Sequence, residues 1–327
     1  MDIKFEEVEK FRQQSRTLIP IMFAPMDNSL FGCADKIEKI EELRGSYWIS
    51  LEKKQGAVMV FMHGGGFISG HPIGMDCQSI VYALKDFNKK NSTTQKCSHV
   101  LSVEYRLCDD PNNKDRMDRN LCTDNLNDQL EDCYEAFRWL IEEKGIKASN
   151  IVLAGYSAGA THAAMLVLKK LMNSENPEMW PIRSVAMCSA SCDLSNRIVN
   201  SDEKKAGGVT IIHQGLRNLI TKCVPQEEKD KYSLIGTMNE MEKQDSSFFS
   251  KVLSTKWIVN YSSDEELAAS NLYLVDKLQM KAQELNLPDH QVVEIAEPNQ
   301  MHCYLVGYSV LQVAKQSMSR FLENAFN

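Results

Sequence analysis

Apolar residues along this chain fall into short unbroken runs separated by stretches of helical spacing. The runs "AVMVFM" (57–62), "HVLSVEYRL" (99–107), "NIVLAG" (150–155), "RSVAMCSA" (183–190), "KWIVNY" (256–261) and "QVVEIAE" (291–297) are β-rich. Their near-continuous hydrophobicity is that of parallel strands covered on both faces. Between them, Leu126, Leu130, Cys133, Phe137, Leu140 and Ile141 recur at helical spacing within 124–144, with Thr123 or Asp124 as the predicted N-cap. Segments 158–172, 264–286 and 305–325 also read as helices. Strand alternating with helix in this order predicts an α/β fold, with a mostly parallel central sheet and helices on both faces.

Two regions depart from the alternation. Residues 1–45 carry a helical stripe at Phe5, Val8 and Phe11 ahead of the apolar "LIPIMF". Residues 195–250 are polar and charge-rich, with helical patches around 211–221 and 225–232. An insertion of that size between two core strands predicts a cap rather than a structureless loop.

Composition narrows the function classes. The chain has 327 residues and a formal net charge of -7, which speaks against a nucleic-acid surface. Its longest apolar run falls short of the roughly 18 residues that a membrane span needs. The N-terminus "MDIKFEEVEKFRQQ" lacks the apolar core of a signal peptide, so a cytoplasmic location is expected. Ten cysteines are present without a Cys-x-x-Cys pair, which predicts free buried thiols rather than a metal site. No metal or cofactor is expected. The glycosylation sequons at Asn91 and Asn260 read as chance, the second lying inside a predicted buried strand.

Candidate chemistry begins where the run 57–62 meets three glycines, "MHGGGF". Glycine loses more backbone freedom on folding than any other residue, so three in succession imply a backbone that must be approached closely. A phosphate cradle would need a following Lys-Ser or Lys-Thr, which is absent. An oxyanion hole would need a nucleophile, and "VLAGYSAGATHAA" offers one. Gly155-Tyr156-Ser157-Ala158-Gly159 joins a predicted strand to a predicted helix, the context in which G-x-S-x-G exposes a strained serine. The N–H groups of Gly64, Gly65, Gly66 and Ala158 would then converge on the oxyanion of a tetrahedral intermediate. On such an architecture the acid and the histidine follow the serine in chain order. His302 comes directly after the last strand, whereas His290 precedes it at the wrong end of the sheet. For the acid, "NYSSDEEL" puts Asp264 first after a strand, with Glu265 and Glu266 as competitors. The expected triad is therefore Ser157, Asp264 and His302, with activity rising through a histidine pKa of ~6.5.

With these residues in place, the sequence resembles the hormone-sensitive-lipase branch of the α/β-hydrolase fold, which includes arylacetamide deacetylase-like esterases. "HGGGF", "VEYRL" (103–107), "DCYEAFRWL" (132–140), "GYSAG", "SASCDLS" (189–195) and "MHCY" carry the resemblance over roughly residues 55–325. It implies a single α/β-hydrolase domain over 1–327 with a helical cap built from 1–45 and 195–250. It also implies a serine carboxylesterase acting on short- to medium-chain esters, with a small-molecule ester or amide as its partner. Three positions depart from the pattern. Tyr156 and Ala160 replace Asp and Gly in the serine motif, "CDDPNNKDRMDRNLCTDN" replaces the segment after YRL, and "DEEL" stands at the acid. The serine turn is also similar to that of kynurenine formamidases, which makes arylformamide hydrolysis the alternative reaction. Gibberellin receptors resemble the same branch but lack the histidine, so a non-catalytic ligand receptor is the alternative of a different class.

Overall fold

The computed structural model describes residues 34–52, 56–90, 96–108, 122–172, 174–194, 223–309 and 311–327. Among these, ten strands are β1 (Lys36–Ile40), β2 (Ser46–Ser50), β3 (Ala57–Met62), β4 (Cys97–Val103), β5 (Leu107–Cys108), β6 (Cys122–Thr123), β7 (Ile151–Tyr156), β8 (Ser184–Cys188), β9 (Lys256–Ser262) and β10 (Val292–Glu297). The α-helices are α1 (Met75–Lys90), α2 (Leu126–Glu142), α3 (Ala158–Leu166), α4 (Gln226–Lys231), α5 (Leu234–Gln244), α6 (Phe248–Val252), α7 (Ala268–Glu284) and α8 (Gln312–Phe326). Eight of the strands form one sheet in the order β1-β2-β4-β3-β7-β8-β9-β10, and β5 pairs with β6 separately. From β4 to β10 every neighbouring pair is parallel, while β2 runs antiparallel to both β1 and β4.

The apolar runs become strands buried on both faces. Along β3, Val58, Val60 and Met62 enter one core cluster and Ala57, Met59 and Phe61 the other. In β7, Ile151 and Leu153 face the first cluster, and Val152, Ala154 and Tyr156 the second. Helices α2, α3 and α7 supply the first layer and α1 and α8 the second. This double cover is why the runs lack polar alternation.

Several elements differ from the expectation. The hairpin β1–β2 places residues 36–45 at the sheet edge instead of in a cap. Charged, exposed Lys36, Glu38 and Lys39 on β1 mask its strand character and protect a sheet edge. Helix α1 has no counterpart among the predicted helices. The cap of α2 is Asn125, whose side chain accepts the Asn127 N–H, rather than Thr123 or Asp124. Residues 1–33 and 195–222, which carry most of the expected cap, lie outside the described residues, as does Asn91. The described remainder of the insertion, 223–252, packs onto the sheet's first layer through Leu234, Ile235 and Met238. The Ile235 N–H also donates to the Cys192 carbonyl at 3.2 Å. No helix among the described residues is long and apolar enough to cross a membrane.

Candidate active site

The carboxyl ends of β3, β7, β8, β9 and β10 share one edge of the sheet, where ligands of open α/β sheets bind. The register brings Met62 opposite Gly155, Tyr156 opposite Cys188, and Ser262 opposite Glu297. Each candidate residue projects from a loop that leaves this edge.

Ser157 follows β7 directly and adopts φ 51° and ψ -118°, a conformation that a residue with a side chain rarely holds. Its N–H donates to the Cys188 carbonyl at 2.8 Å, which fastens the turn to β8. The crossing of β7 with α3 leaves no room for side chains. A Cβ on Gly155 would lie 2.4 Å from the Gly159 carbonyl, and one on Gly159 would lie 2.1 Å from the Met62 carbonyl oxygen. The glycines of the motif are therefore demanded by contact.

His302 lies in the loop after β10. Its Nε2 is 2.9 Å from Ser157 Oγ and its Nδ1 is 2.6 Å from Glu265 Oε2. A carboxylate only accepts, so Nδ1 carries the proton and Nε2 is left to accept from the serine hydroxyl. The carboxylate against His302 is thus that of Glu265, which corrects the sequence assignment of Asp264. The turn after β9 explains the change. The Glu265 N–H donates back to the Ser262 carbonyl at 3.3 Å, folding Glu265 inward with its side chain fully buried. Its Oε1 accepts the Ser262 N–H at 3.2 Å. Asp264 sits at the exposed tip of the same turn, where its carboxylate accepts the Asn299 N–H and braces the histidine loop from outside.

The glycine run abuts the serine: a Cβ on Gly64 would come within 3.5 Å of Ser157 Cβ. Gly65 and Gly66 hold φ of 121° and 62°, and a Cβ on Gly65 would meet the Ser69 carbonyl oxygen at 2.0 Å. Among the described residues, the N–H groups of Gly65, Gly66 and Ala158 donate to no other group. Ala158 is the first residue of α3, so the helix dipole adds to its N–H. Gly64 differs. Its N–H donates to Asp76 Oδ2 at 2.7 Å, which removes it from the expected set of oxyanion donors. Nothing in the sequence around Asp76 marks a function. Only the fold brings the start of α1 under the glycine loop, where burial pushes the Asp76 pKa up against the pull of the Gly64 and Cys77 N–H groups.

Burial disfavours the charged form of His302 while the Glu265 carboxylate against Nδ1 favours it, and the balance puts the His302 pKa above the ordinary histidine value. A base must be neutral to accept a proton, so activity should be lost as pH falls through this raised pKa. The rising limb of kcat/KM against pH is expected above ~6.5, and Glu265→Gln should move it toward acid. A wild-type midpoint at or below that value would contradict the assignment.

A family model described as the alpha/beta hydrolase fold matches residues 59–306. No curated protein matches the sequence. Among solved structures, the chain is similar to a hyperthermophilic esterase from the archaeon Pyrobaculum calidifontis, at 16% identity and TM-score 0.68 over 97% of this chain and 92% of that one. It is similar to carboxyl esterase 2 from the mycorrhizal fungus Tuber melanosporum, at 16% identity and TM-score 0.62 over 89% and 87% of the two chains. It is also similar to a hormone-sensitive lipase from a metagenome library, at 17% identity and TM-score 0.58 over 99% and 97%. At such identities these likenesses speak for the fold, and the chemistry rests on the residues.

Proposed function

This chain belongs to the α/β-hydrolase fold family, and from that premise we propose that it is a serine carboxylesterase acting through Ser157, His302 and Glu265. The observation that carries this reading is the line of contacts from Ser157 Oγ to His302 Nε2 at 2.9 Å and from His302 Nδ1 to Glu265 at 2.6 Å. These three side chains leave the ends of three different strands. The esterases and lipase among its structural neighbours are consistent with it.

In the proposed reaction Ser157 Oγ attacks the ester carbonyl carbon while its proton passes to His302 Nε2. The negative charge that develops on the carbonyl oxygen is met by the N–H groups of Gly65, Gly66 and Ala158, each such donor typically contributing ~10²–10³ in turnover. Glu265 stabilises the imidazolium and holds the ring in its tautomer. As the intermediate collapses, the C–O bond to the leaving group breaks and His302 returns the proton to the departing alcohol. A water molecule, deprotonated by the same nitrogen, then attacks the acyl-enzyme carbonyl, and Ser157 leaves with its proton restored.

The segments 1–45, apart from the β1 hairpin, and 195–250 are proposed to roof the acyl site. A roofed apolar site gains up to ~0.8 kcal/mol for each enclosed methylene until it is full. Specificity should therefore climb from acetyl and then fall, with its optimum at short to medium chains. The test is a panel of p-nitrophenyl esters from C2 to C16, with N-formylkynurenine included, on protein titrated by an organophosphonate. One equivalent of label at Ser157 and an early optimum are expected. A rate that rises steadily to C16 with interfacial activation would make the protein a lipase, and preference for the formamide would move it to the other hydrolase reading.

A further inference from the structure

Beneath the glycine loop lies a buried polar cluster that the proposed reaction does not use. Gln129 of α2, His162 of α3 and Tyr232 at the end of α4 are fully buried or nearly so. Gln129 Nε2 donates to the Phe67 carbonyl at 2.8 Å and lies 3.3 Å from Cys108 Sγ. Gln129 Oε1 is 2.9 Å from His162 Nε2, and His162 Nδ1 is 2.7 Å from the Tyr232 hydroxyl.

Bonding rules give this cluster one direction. The Phe67 carbonyl can only accept, so the Gln129 amide must turn its NH₂ there and its oxygen toward His162. His162 Nε2 must then carry the proton, Nδ1 must accept, and the Tyr232 hydroxyl must donate. Burial drives the His162 pKa down to about 3, with nearby His63 acting in the same sense, so the ring stays neutral. Burial likewise pushes the Tyr232 hydroxyl well above its ordinary value, which keeps its proton in place. Ring contacts hold the geometry: Phe67 meets His162 edge-on at 5.2 Å, and Tyr105 meets His162 at 4.8 Å. Tyr105 also donates its hydroxyl to the His63 carbonyl at 2.7 Å.

The two ends of this chain differ in kind. Phe67 follows Gly66 directly and holds a left-handed φ of 67°, and its carbonyl, which accepts from the Cys108 N–H as well as from Gln129, both at 2.8 Å, anchors the C-terminal side of the glycine loop. Tyr232 belongs to the insertion between β8 and β9. We propose that Tyr232, His162 and Gln129 are positioning residues, a one-way hydrogen-bond chain through which the seating of segment 223–252 holds the oxyanion loop in register with Ser157. Loss of a link leaves a buried donor or acceptor unsatisfied and leaves the Phe67 carbonyl to the Cys108 N–H, so the loop loosens on one side. A misplacement of ~1 Å at the donors is enough to cost about 10²-fold in rate. The catalytic consequence rests on the esterase reading, whereas the effect on the loop does not.

The experiment compares Tyr232→Phe, which keeps the ring and deletes the hydroxyl, with Gln129→Leu and the double variant. Turnover of p-nitrophenyl butyrate is expressed per Ser157 titrated by organophosphonate. Each single variant should lose ~10–100-fold in kcat while KM moves less than about threefold, the pattern of an interaction made in the transition state. Affinity for a trifluoromethyl ketone, which forms an oxyanion on Ser157, should fall by the same factor. Amide hydrogen exchange at Ile68 and Ser69, both bonded to the Gly65 carbonyl, should accelerate. Because the residues act in series, the double variant should be no worse than the worse single variant. Wild-type kcat per titrated site with wild-type loop exchange in both variants would overturn the proposal, as would strictly additive losses. If the wild-type protein cleaves no ester, the esterase reading fails, and loop exchange alone still decides the inference.

Discussion

Ser157→Ala should lower ester turnover by about 10⁶-fold, the scale seen when a serine nucleophile is removed from a triad that acts as a unit. The size follows from the reaction proposed. Without Oγ no acyl-enzyme forms, and His302 can only assist direct attack by water. The fold should be untouched, because the strained turn is held by backbone contacts that alanine retains. These are the Ser157 N–H on the Cys188 carbonyl and the Thr161 N–H on the Ser157 carbonyl. Alanine at φ 51° tolerates the turn no worse than serine does, so the melting temperature should be preserved. Turnover within tenfold of wild type would remove Ser157 from the mechanism.

Glu265→Gln should lower kcat by ~10⁴-fold, by analogy with amide replacement of the acid in a serine-protease triad. The glutamine can present an NH₂ to Nδ1 and so favour the wrong tautomer, with the proton on Nε2 facing the serine. Asp264→Asn should be far milder, since its carboxylate lies outside the pair and, among the described residues, accepts a backbone N–H from Asn299. Its loss should loosen the histidine loop without changing the tautomer of His302. Steady-state kinetics on both variants distinguish the two carboxylates, and a larger loss in Asp264→Asn would return the acid to that position.

The adjacency of Asp264 and Glu265 shows where reading a chain as a string stops. Placing an acid just after β9 needed only the strand's apolar run and its end. Choosing between neighbouring carboxylates needed the turn, because one residue of difference decides which side chain faces His302 and which faces water. The longer glutamate side chain reaches Nδ1 from a buried position, whereas Asp264 is held at the surface. The glycine run behaves similarly. Its closeness to the serine was legible, but the loss of Gly64 as a donor depended on Asp76, twelve residues away and on a helix with no distinctive mark.

The sequence alone determined the core strands, the strand–helix alternation of the parallel sheet apart from α1, and the placement of Ser157 and His302 after β7 and β10. Those features are local: continuous apolar runs record burial on both faces, and glycines record close approach of backbones. The tertiary structure alone decided the edge hairpin, which carboxylate meets His302, which N–H groups of the glycine loop lack a partner among the described residues, and the chain from Tyr232 to Phe67. Each of these depends on which groups from distant segments meet across a few ångströms, and hydrophobic periodicity carries no record of such meetings. Glutamine, histidine and tyrosine at 129, 162 and 232 read along the chain as ordinary helix residues, and they become a directed network only when three elements enclose them and exclude water.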